Sequence, residues 1–176
     1  MNRLRRISAV KPGAKEFAEA AERHLDDVHA FLVYLTGDRD VAEELTAETF
    51  ARAGERWRRF DPRRGSARTW LCQLARSTAL DHFRAEDRRR RREGRYAVGV
   101  PETHEPVFAE GLSPALETAL SRLSAAEREV LALRVVLELD GESAGRVLGI
   151  SATACSTRLS RALQKLEREV SAGVAA

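Results

Sequence analysis

Apolar residues recur at intervals of three and four along almost the whole chain, and the strict alternation typical of β-strands is missing. This pattern gives each helix one apolar face, so we expect an all-α protein. The helical spacing is lost over a long stretch only between Gly94 and Pro114, and this stretch contains three prolines. We therefore predict two small helical domains at residues 14–95 and 114–170, a flexible linker at 96–113, and short tails at 1–13 and 171–176.

The first predicted domain is a bundle of three helices. The first helix covers residues 14–35 and the second covers about residues 40–59. Asp61 and Pro62 interrupt the pattern, and Ser66 has the residue type of an N-cap for the third helix. The spacing of the first helix directs eight residues inward: Phe17, Ala20, Ala21, Leu25, Val28, Phe31, Leu32 and Leu35.

The second predicted domain ends in a helix-turn-helix. Residues 124–127 form a capping box that begins one helix, and a short helix at 142–148 follows it. Gly145 allows a close helix crossing, Gly149 supplies the turn, and Ser151 caps the final helix. The free surface of that helix carries Thr153, Ser156, Thr157, Arg158, Arg161 and Lys165. Such a pair is typical of DNA-binding proteins, but it also occurs as a plain αα-hairpin.

The positive charge of the chain is concentrated in one segment. The whole sequence has 30 basic and 27 acidic residues, a net charge of +3. Residues 61–95 alone have 11 basic and 5 acidic residues, an excess of +6, and include five consecutive arginines at 88–92. A localised stripe of arginine indicates binding to a polyanion such as nucleic acid.

Several other classes of protein are disfavoured by the sequence. Cys72 and Cys155 lie on apolar helix faces, which favours buried thiols over a disulfide or a metal site and fits a reducing cytoplasm. The four histidines are scattered, and no nucleophile motif or phosphate-binding glycine loop appears, so we expect no enzyme, no metal and no cofactor. No apolar run approaches the roughly 20 residues of a membrane span, and none of signal-peptide length follows the basic N-terminus, so we expect a protein that is not exported. The predicted location is the cytoplasm.

Two separate segments resemble the extracytoplasmic-function (ECF) sigma factors, the two-domain class of the sigma-70 family. LTGDRDVAEELTAETFARA, followed by RFDPRRGSARTWLCQLARSTALDHFR, is similar to domain 2 of that family. LSAAEREVLALRVVLELDGESAGRVLGISATACSTRLSRALQKLE is similar to domain 4. The resemblance covers roughly residues 17–166, and it implies a protein that binds core RNA polymerase and opens promoter DNA.

The resemblance assigns the acidic second helix to the polymerase. In the family this helix docks on the clamp coiled coil of the polymerase. The candidate interface residues are Asp40, Glu43, Glu44 and Glu48. From the residues alone, an ordinary solvated helix face is the favoured interpretation.

The resemblance assigns the third helix and the loop before it to the minus-10 promoter element, which is recognised as a melted single strand. A site that binds an unstacked base offsets the cost of unpairing it. The expected residues are Arg63, Arg64, Gly65 and Ser66 in the loop and Arg76, Asp81, His82, Arg84 and Arg88 on the helix. Trp70 and Phe83 have the spacing of core residues, so we expect them to pack inward rather than stack on bases. The arginine run is expected to bind phosphates without reading sequence.

The final helix is assigned by the same resemblance to duplex DNA at the minus-35 element. Arg158 and Arg161 are the expected base or phosphate contacts, Ser151 and Thr153 bind backbone phosphate near the helix N-terminus, and Lys165 is a peripheral phosphate contact. Ser156 and Thr157 complete the predicted surface.

Two other functions remain open on the sequence alone. A helix-turn-helix regulator would bind duplex DNA without polymerase, and a protein-interaction adaptor would use its arginines only for solubility. The tail ends in Ala175 and Ala176, which resemble tags captured by AAA+ unfoldase-proteases of the ClpXP type, although an alanine-rich tail without this role fits equally well. We expect regulation by an anti-sigma protein, by synthesis or by turnover.

Overall fold

The computed structural model describes residues 13–94, 108–109 and 111–174. These residues form seven α-helices, which confirms the predicted all-α class for this part of the chain. The helices are α1 (Ala14–Thr36), α2 (Arg39–Arg56), α3 (Ala67–Glu93), α4 (Pro114–Ser121), α5 (Ala125–Leu131), α6 (Gly141–Leu148) and α7 (Ala152–Val174). Two 3₁₀ turns, Trp57–Arg59 and Pro62–Arg64, join α2 to α3, and a π-helical segment, Ala132–Val136, extends α5.

Helices α1, α2 and α3 pack against one another as the predicted bundle. Gly37 ends α1 with a left-handed φ of 70°, and the Asp38 carboxylate then caps α2 by accepting two backbone N–H groups. Most of the residues predicted to face inward from α1 are buried or half-buried. Leu25 is the exception, because 47% of its surface is exposed.

Helices α4 to α7 form the second group, with α7 packed against the other three. The predicted capping box is confirmed: Ser124 and Glu127 each accept the other's backbone N–H. The helix that begins at this capping box, which the sequence pattern predicts to run to about Leu139, is regular only as far as Leu131, where it widens into the π-helical segment.

The helix-turn-helix is present as predicted. Gly149 adopts a left-handed φ of 69° in the turn between α6 and α7. A Cβ atom on Gly145 would lie 2.7 Å from the carbonyl oxygen of Ile150, so the close helix crossing depends on glycine.

The two groups of helices share a continuous buried core. Helix α6 packs on α3, and α5 packs on α1. Phe108, in the stretch predicted to be a flexible linker, is only 2% exposed and lies against Tyr34, with ring centroids 6.0 Å apart. This part of the predicted linker is therefore anchored in the core.

Both cysteines are free and buried, as predicted. Burial raises the pKa of the Cys72 thiol to about 12, so this thiol is protonated at neutral pH. Within the described ranges, no cluster of side chains suited to a metal ion is found. None of the helices described above combines the length and apolarity needed to cross a bilayer.

Candidate nucleic-acid interface

The loop between α2 and α3 has a defined shape. Asp61 caps the Pro62–Arg64 turn, its carboxylate accepting the Arg63 backbone N–H at 3.0 Å. Gly65 then takes φ 153° and ψ 171°, a backbone region open essentially to glycine alone. Ser66 caps α3 by accepting the Thr69 backbone N–H at 3.1 Å. The residue types of this loop thus fix its course locally.

A cavity of about 410 Å³ opens beside this loop, and we call it the loop cavity. Its size falls within the range of small-molecule binding sites. Its wall combines loop residues, aromatic rings and guanidinium groups: Arg59, Phe60, Asp61, Arg64, Gly65, Ser66, Thr69, Trp70, Gln73 and Arg146. A concave site of this composition can take a flat ring against aromatic faces and an anion against arginine.

The aromatic wall belongs to a larger cluster of rings. Phe60 stacks on Trp57 with ring centroids 4.9 Å apart, and Trp70 lies 5.5 Å from Phe60 and 5.7 Å from Trp57. Trp70 was predicted to be a core residue, and it does pack with these rings. It is nevertheless only half-buried and lines the loop cavity. Its ring therefore packs against the aromatic cluster and also borders the cavity.

The residues predicted along α3 lie in different surroundings. Arg76 pairs with Glu129 of α5, with Nε and Oε1 2.9 Å apart. Asp81 pairs with Arg52 of α2 at 3.1 Å and with Arg84 at 3.6 Å. His82 is half-buried, and its ring lies edge-on to Phe83 at 5.9 Å. The structure therefore groups Arg64, Gly65 and Ser66 at one cavity, leaves Arg63 exposed outside its lining, and spreads the helix residues along α3.

The arginine run forms the exposed end of α3. All five side chains at 88–92 are exposed. Glu86 accepts hydrogen bonds from Arg89 and Arg90, at 3.3 and 3.1 Å, and so neutralises part of their charge. Exposed ion pairs of this kind contribute little to stability, which leaves the arginines available to phosphates.

Helix α7 presents a convex polar surface. Ser151 caps it by accepting the Ala154 backbone N–H at 3.1 Å. The predicted residues Thr153, Ser156, Thr157 and Arg161 are exposed, whereas Arg158 is half-buried. Lys165, the other half-buried member of the set, pairs with Glu127 of α5 at 3.0 Å. The hydroxyls of Ser156 and Thr157 donate to carbonyl groups one turn earlier, at 3.1 Å each.

The four acidic residues predicted on α2 are exposed: Asp40, Glu43, Glu44 and Glu48. Glu43 lines a groove between α1 and α2, with a volume of about 660 Å³, which we call the α1/α2 groove. Its floor is apolar, with Leu25 and Phe50, and Glu22 and Asp26 also line it. Leu25, which the sequence pattern predicted to face the core, is instead an exposed residue of this groove.

Sequence reasoning missed two kinds of site residue. Arg59, Phe60 and Thr69 adjoin the predicted loop, and the aromatic Phe60 at its start was a signal that could have identified them. Arg146 and Glu129 reach the first domain from the second, and no pattern in the sequence indicates such a contact. Ala175 and Ala176 lie outside the described residues.

Comparisons with known proteins agree with the resemblance in the sequence. Residues 20–89 match the family model of sigma-70 region 2, and residues 113–166 match that of sigma-70 region 4. The ECF RNA polymerase sigma factor BldN of Streptomyces coelicolor is 31% identical over 159 residues, covering 88% of this chain and 60% of BldN. The ECF sigma factor SigC of Mycobacterium tuberculosis is 33% identical over 162 residues, covering 91% of this chain and 86% of SigC.

Solved structures show the same fold. The sigma factor RpoE, in its complex with the anti-sigma factor NepR from Bartonella quintana, has a TM-score of 0.75 at 22% identity. The match covers 89% of this chain and 98% of RpoE. CnrH, in complex with the cytosolic domain of CnrY, has a TM-score of 0.65 at 22% identity, covering 90% of this chain and 89% of that one. The two matched regions and the identity to SigC over most of its length establish that the chain belongs to the ECF RNA polymerase sigma factors of the sigma-70 family.

Proposed function

We propose that this sigma factor directs core RNA polymerase to promoters by capturing an unstacked base of the minus-10 element in the loop cavity. The observation that carries this proposal is the cavity itself, which places the half-buried Trp70 ring beside the loop residues Arg64, Gly65 and Ser66. Stacking of a base on an aromatic ring contributes about 1–3 kcal/mol, enough to offset much of the cost of unpairing one base.

The arginines of α3 extend this site along the strand. Arg84 is exposed, as is the whole arginine run at 88–92. An extended basic helix binds backbone phosphates without reading sequence, and its contribution falls as salt rises. In this proposal the loop captures a base and the arginines of α3 bind the phosphates of the same strand.

Helix α7 is proposed to read the minus-35 element as duplex DNA. Its exposed residues project from a helix that follows a glycine turn, which is the arrangement that enters a major groove. Arg161 is exposed and Arg158 is half-buried on this surface, whereas Lys165 is engaged with Glu127. Ser151 and Thr153 lie at the helix N-terminus, where backbone N–H groups favour a phosphate.

The α1/α2 groove is proposed to bind core polymerase. An apolar floor bordered by Glu22, Asp26 and Glu43 is complementary to a helix that presents apolar and basic residues. Replacing the exposed Leu25 with Asp would remove apolar contact without disturbing the core, and Ala51→Asp on the exposed side of α2 is a matched control. We expect Leu25→Asp to weaken complex formation with core polymerase while Ala51→Asp preserves it.

Cytoplasmic action and two regulatory partners complete the proposal. RpoE and CnrH, which share this fold, were each solved with a partner, and the partner of RpoE is an anti-sigma factor. A similar inhibitor of this chain is proposed on that likeness.

A ClpXP-type protease is proposed from the terminal alanines, and replacing Ala175 and Ala176 with Asp should then lengthen the cellular half-life. An unchanged half-life would exclude this signal.

The central test combines the purified chain with core RNA polymerase and fragmented genomic DNA. We expect a stable complex by size exclusion, promoter-dependent transcripts, and permanganate-reactive thymines in the opened region. Trp70→Ala should reduce opening more than duplex binding, while Arg168→Ala, an exposed change on α7 outside the predicted contacts, should not. Duplex binding by the chain alone, without a polymerase complex, would instead favour the helix-turn-helix regulator.

A further inference from the structure

One side of the loop cavity is supplied by helix α6. The Arg146 guanidinium donates from Nη1 to the carbonyl oxygen of Arg64 at 3.0 Å, and its Nη2 pairs with Glu142 at 2.7 Å. The side-chain amide of Gln73 on α3 donates to the Arg146 carbonyl oxygen at 3.1 Å. Contacts with the loop, with α3 and within α6 therefore hold this guanidinium at the edge of the cavity.

Arg146 has no role in either proposed DNA surface. It lies outside residues 20–89, which match sigma-70 region 2, and the proposed duplex contacts are on α7 and at its N-cap. A guanidinium has five N–H donors, and the contacts above use two of them, so three lack an acceptor in the part of the chain that the structure describes. A positioned guanidinium with free donors is suited to an anionic ligand.

Two more guanidinium groups line the same cavity. Arg59 and Arg64 are exposed, and neither side chain makes an ion pair or a hydrogen bond with any residue of the described ranges. Of the residues described at the cavity, one is acidic: Asp61, whose carboxylate already accepts the Arg63 backbone N–H. Three arginines and one aspartate give the lining a net charge of +2. Such a lining attracts a small polyanion.

The aromatic part of the lining is less exposed than the charged part. Phe60 and Trp70 are half-buried, with ring centroids 5.5 Å apart, and Thr69 beside them is 3% exposed. The three arginines are exposed. A flat ring can therefore lie against the aromatic side chains while an attached anion remains near the mouth of the cavity. The volume of about 410 Å³ suits one ligand of small-molecule size.

We propose that the loop cavity of the free protein binds a purine nucleoside diphosphate, with the base against the half-buried rings and the phosphates on the three arginines. A purine presents a larger face for stacking than a pyrimidine does. Arginine binds phosphate oxygens through paired N–H groups, so three guanidinium groups suit a diphosphate. The nucleotide occupies the space in which a minus-10 base would be captured. Competition with promoter DNA, unlike the binding itself, therefore rests on the proposed function.

Isothermal titration calorimetry of the full chain with ADP and GDP tests the binding. Both should bind, whereas adenosine and pyrophosphate, which carry only the ring or only the phosphates, should each bind about tenfold or more weakly than ADP. Added salt should weaken the binding of ADP more than that of adenosine, because charge holds the phosphates. No binding of either diphosphate would overturn the inference. Equal affinity for pyrophosphate and ADP would also overturn it, since the cavity would then hold an adventitious ion only.

Arg146→Ala tests the contribution of α6. The side chain is exposed, and loss of its charge-assisted hydrogen bonds should lower ADP affinity about tenfold. Two controls match it: Gln73→Ala removes the other hydrogen bond between α3 and α6 but no charge, and Arg168→Ala removes an exposed arginine outside the cavity. Thermal melting followed by circular dichroism shows that each variant is folded. Unchanged affinity in Arg146→Ala, or an equal loss in either control, would overturn the assigned phosphate contact.

Promoter opening separates this inference from the proposed function. Trp70→Ala should weaken both ADP binding and opening with core polymerase, whereas Arg146→Ala should weaken ADP binding and leave opening without nucleotide unchanged. When the chain is mixed with ADP before core polymerase is added, the wild type should open promoters more slowly than Arg146→Ala does. The polymerase is the same in both, so equal rates would overturn the competition. Failure of the wild type to open promoters at all would overturn the proposed function, while calorimetry of the free chain would still decide the nucleotide site.

Discussion

The two proposed DNA surfaces begin alike and diverge in shape. In each, a glycine with positive φ precedes a serine that caps a helix: Gly65 and Ser66 before α3, and Gly149 and Ser151 before α7. The first helix start borders a cavity with aromatic rings, whereas the second projects hydroxyl groups and an arginine into solvent. A single strand offers faces that stack in a cavity, and a duplex offers base edges to a protruding helix.

The two surfaces also differ in whether the other domain contacts them. The loop cavity is contacted by Arg146 from the other domain, while the predicted contacts in the first turns of α7 are exposed. The proposed strand-binding loop is thus contacted by both domains, whereas the proposed duplex-binding surface belongs to the helix-turn-helix alone. Variants that damage one surface and spare the other can test this separation.

The largest effect is expected from Gly145→Leu. A side chain here meets the carbonyl oxygen of Ile150, so α6 and α7 must move apart at a cost of about 3 kcal/mol. The free energy of unfolding from urea titration measures this cost, and minus-35 duplex binding should be lost with it. Gly141→Ala, whose new Cβ would make only ordinary contacts at 3.9 Å, is the control and should keep or slightly raise stability. Equal stability of Gly145→Leu and wild type would contradict the close crossing.

Gly65→Ala is the counterpart in the first surface. Its backbone conformation strains any residue with a Cβ atom, at about 1–3 kcal/mol, so the 63–66 loop should change shape. We expect fewer permanganate-reactive thymines at promoters and unchanged minus-35 duplex binding by the holoenzyme. Gly111→Ala provides the control, because Gly111 also has a positive φ, of 78°, but a Cβ there would meet none of the described residues within 4 Å. Equal loss of promoter opening in both variants would mean that the effect is one of general stability.

Local features of the fold were predictable because their causes lie within a few residues. The Ser66 cap, the capping box and the Gly149 turn each depend on side chains or backbone angles of near neighbours. The π-helical segment was not predicted, since the sequence Ala132–Val136 keeps a helical pattern while its backbone widens. Leu25 shows a related error: spacing identifies an apolar face but not whether another helix covers it.

The site was predictable in its loop but not in its surroundings. Proximity along the chain identified Arg63, Arg64, Gly65 and Ser66 together. The contacts of Arg146 and Glu129 join residues that are 82 and 53 positions from their partners. Both are charged residues, which a helical pattern assigns to the solvent-exposed face. Such pairs are set by how the domains pack, which periodicity does not encode.

A smaller effect is expected from Arg161→Ala on α7. If Arg161 neutralises one phosphate, the slope of log binding constant against log salt should fall by about 0.9, with little change in protein stability. Binding of the holoenzyme to a promoter duplex at several salt concentrations gives the slope. Arg168→Ala on the same helix should leave it unchanged, and equal slopes in all three proteins would remove Arg161 from the proposed surface.

The smallest effects are expected at Ser66 and Ser151, where substitutions can distinguish a helix cap from a DNA contact. Ser66→Ala and Ser151→Ala each remove a side-chain acceptor at a helix start, so each should lower the free energy of unfolding by about 1 kcal/mol. Ser66→Asp and Ser151→Asp keep an acceptor and should restore stability, but each adds a negative charge where a DNA phosphate or strand would approach. We expect Ser66→Asp to lower promoter opening and Ser151→Asp to lower duplex binding. If each Asp variant behaves as the wild type in its DNA assay, the serine concerned is a helix cap alone, and the shared design of the two surfaces is limited to helix initiation.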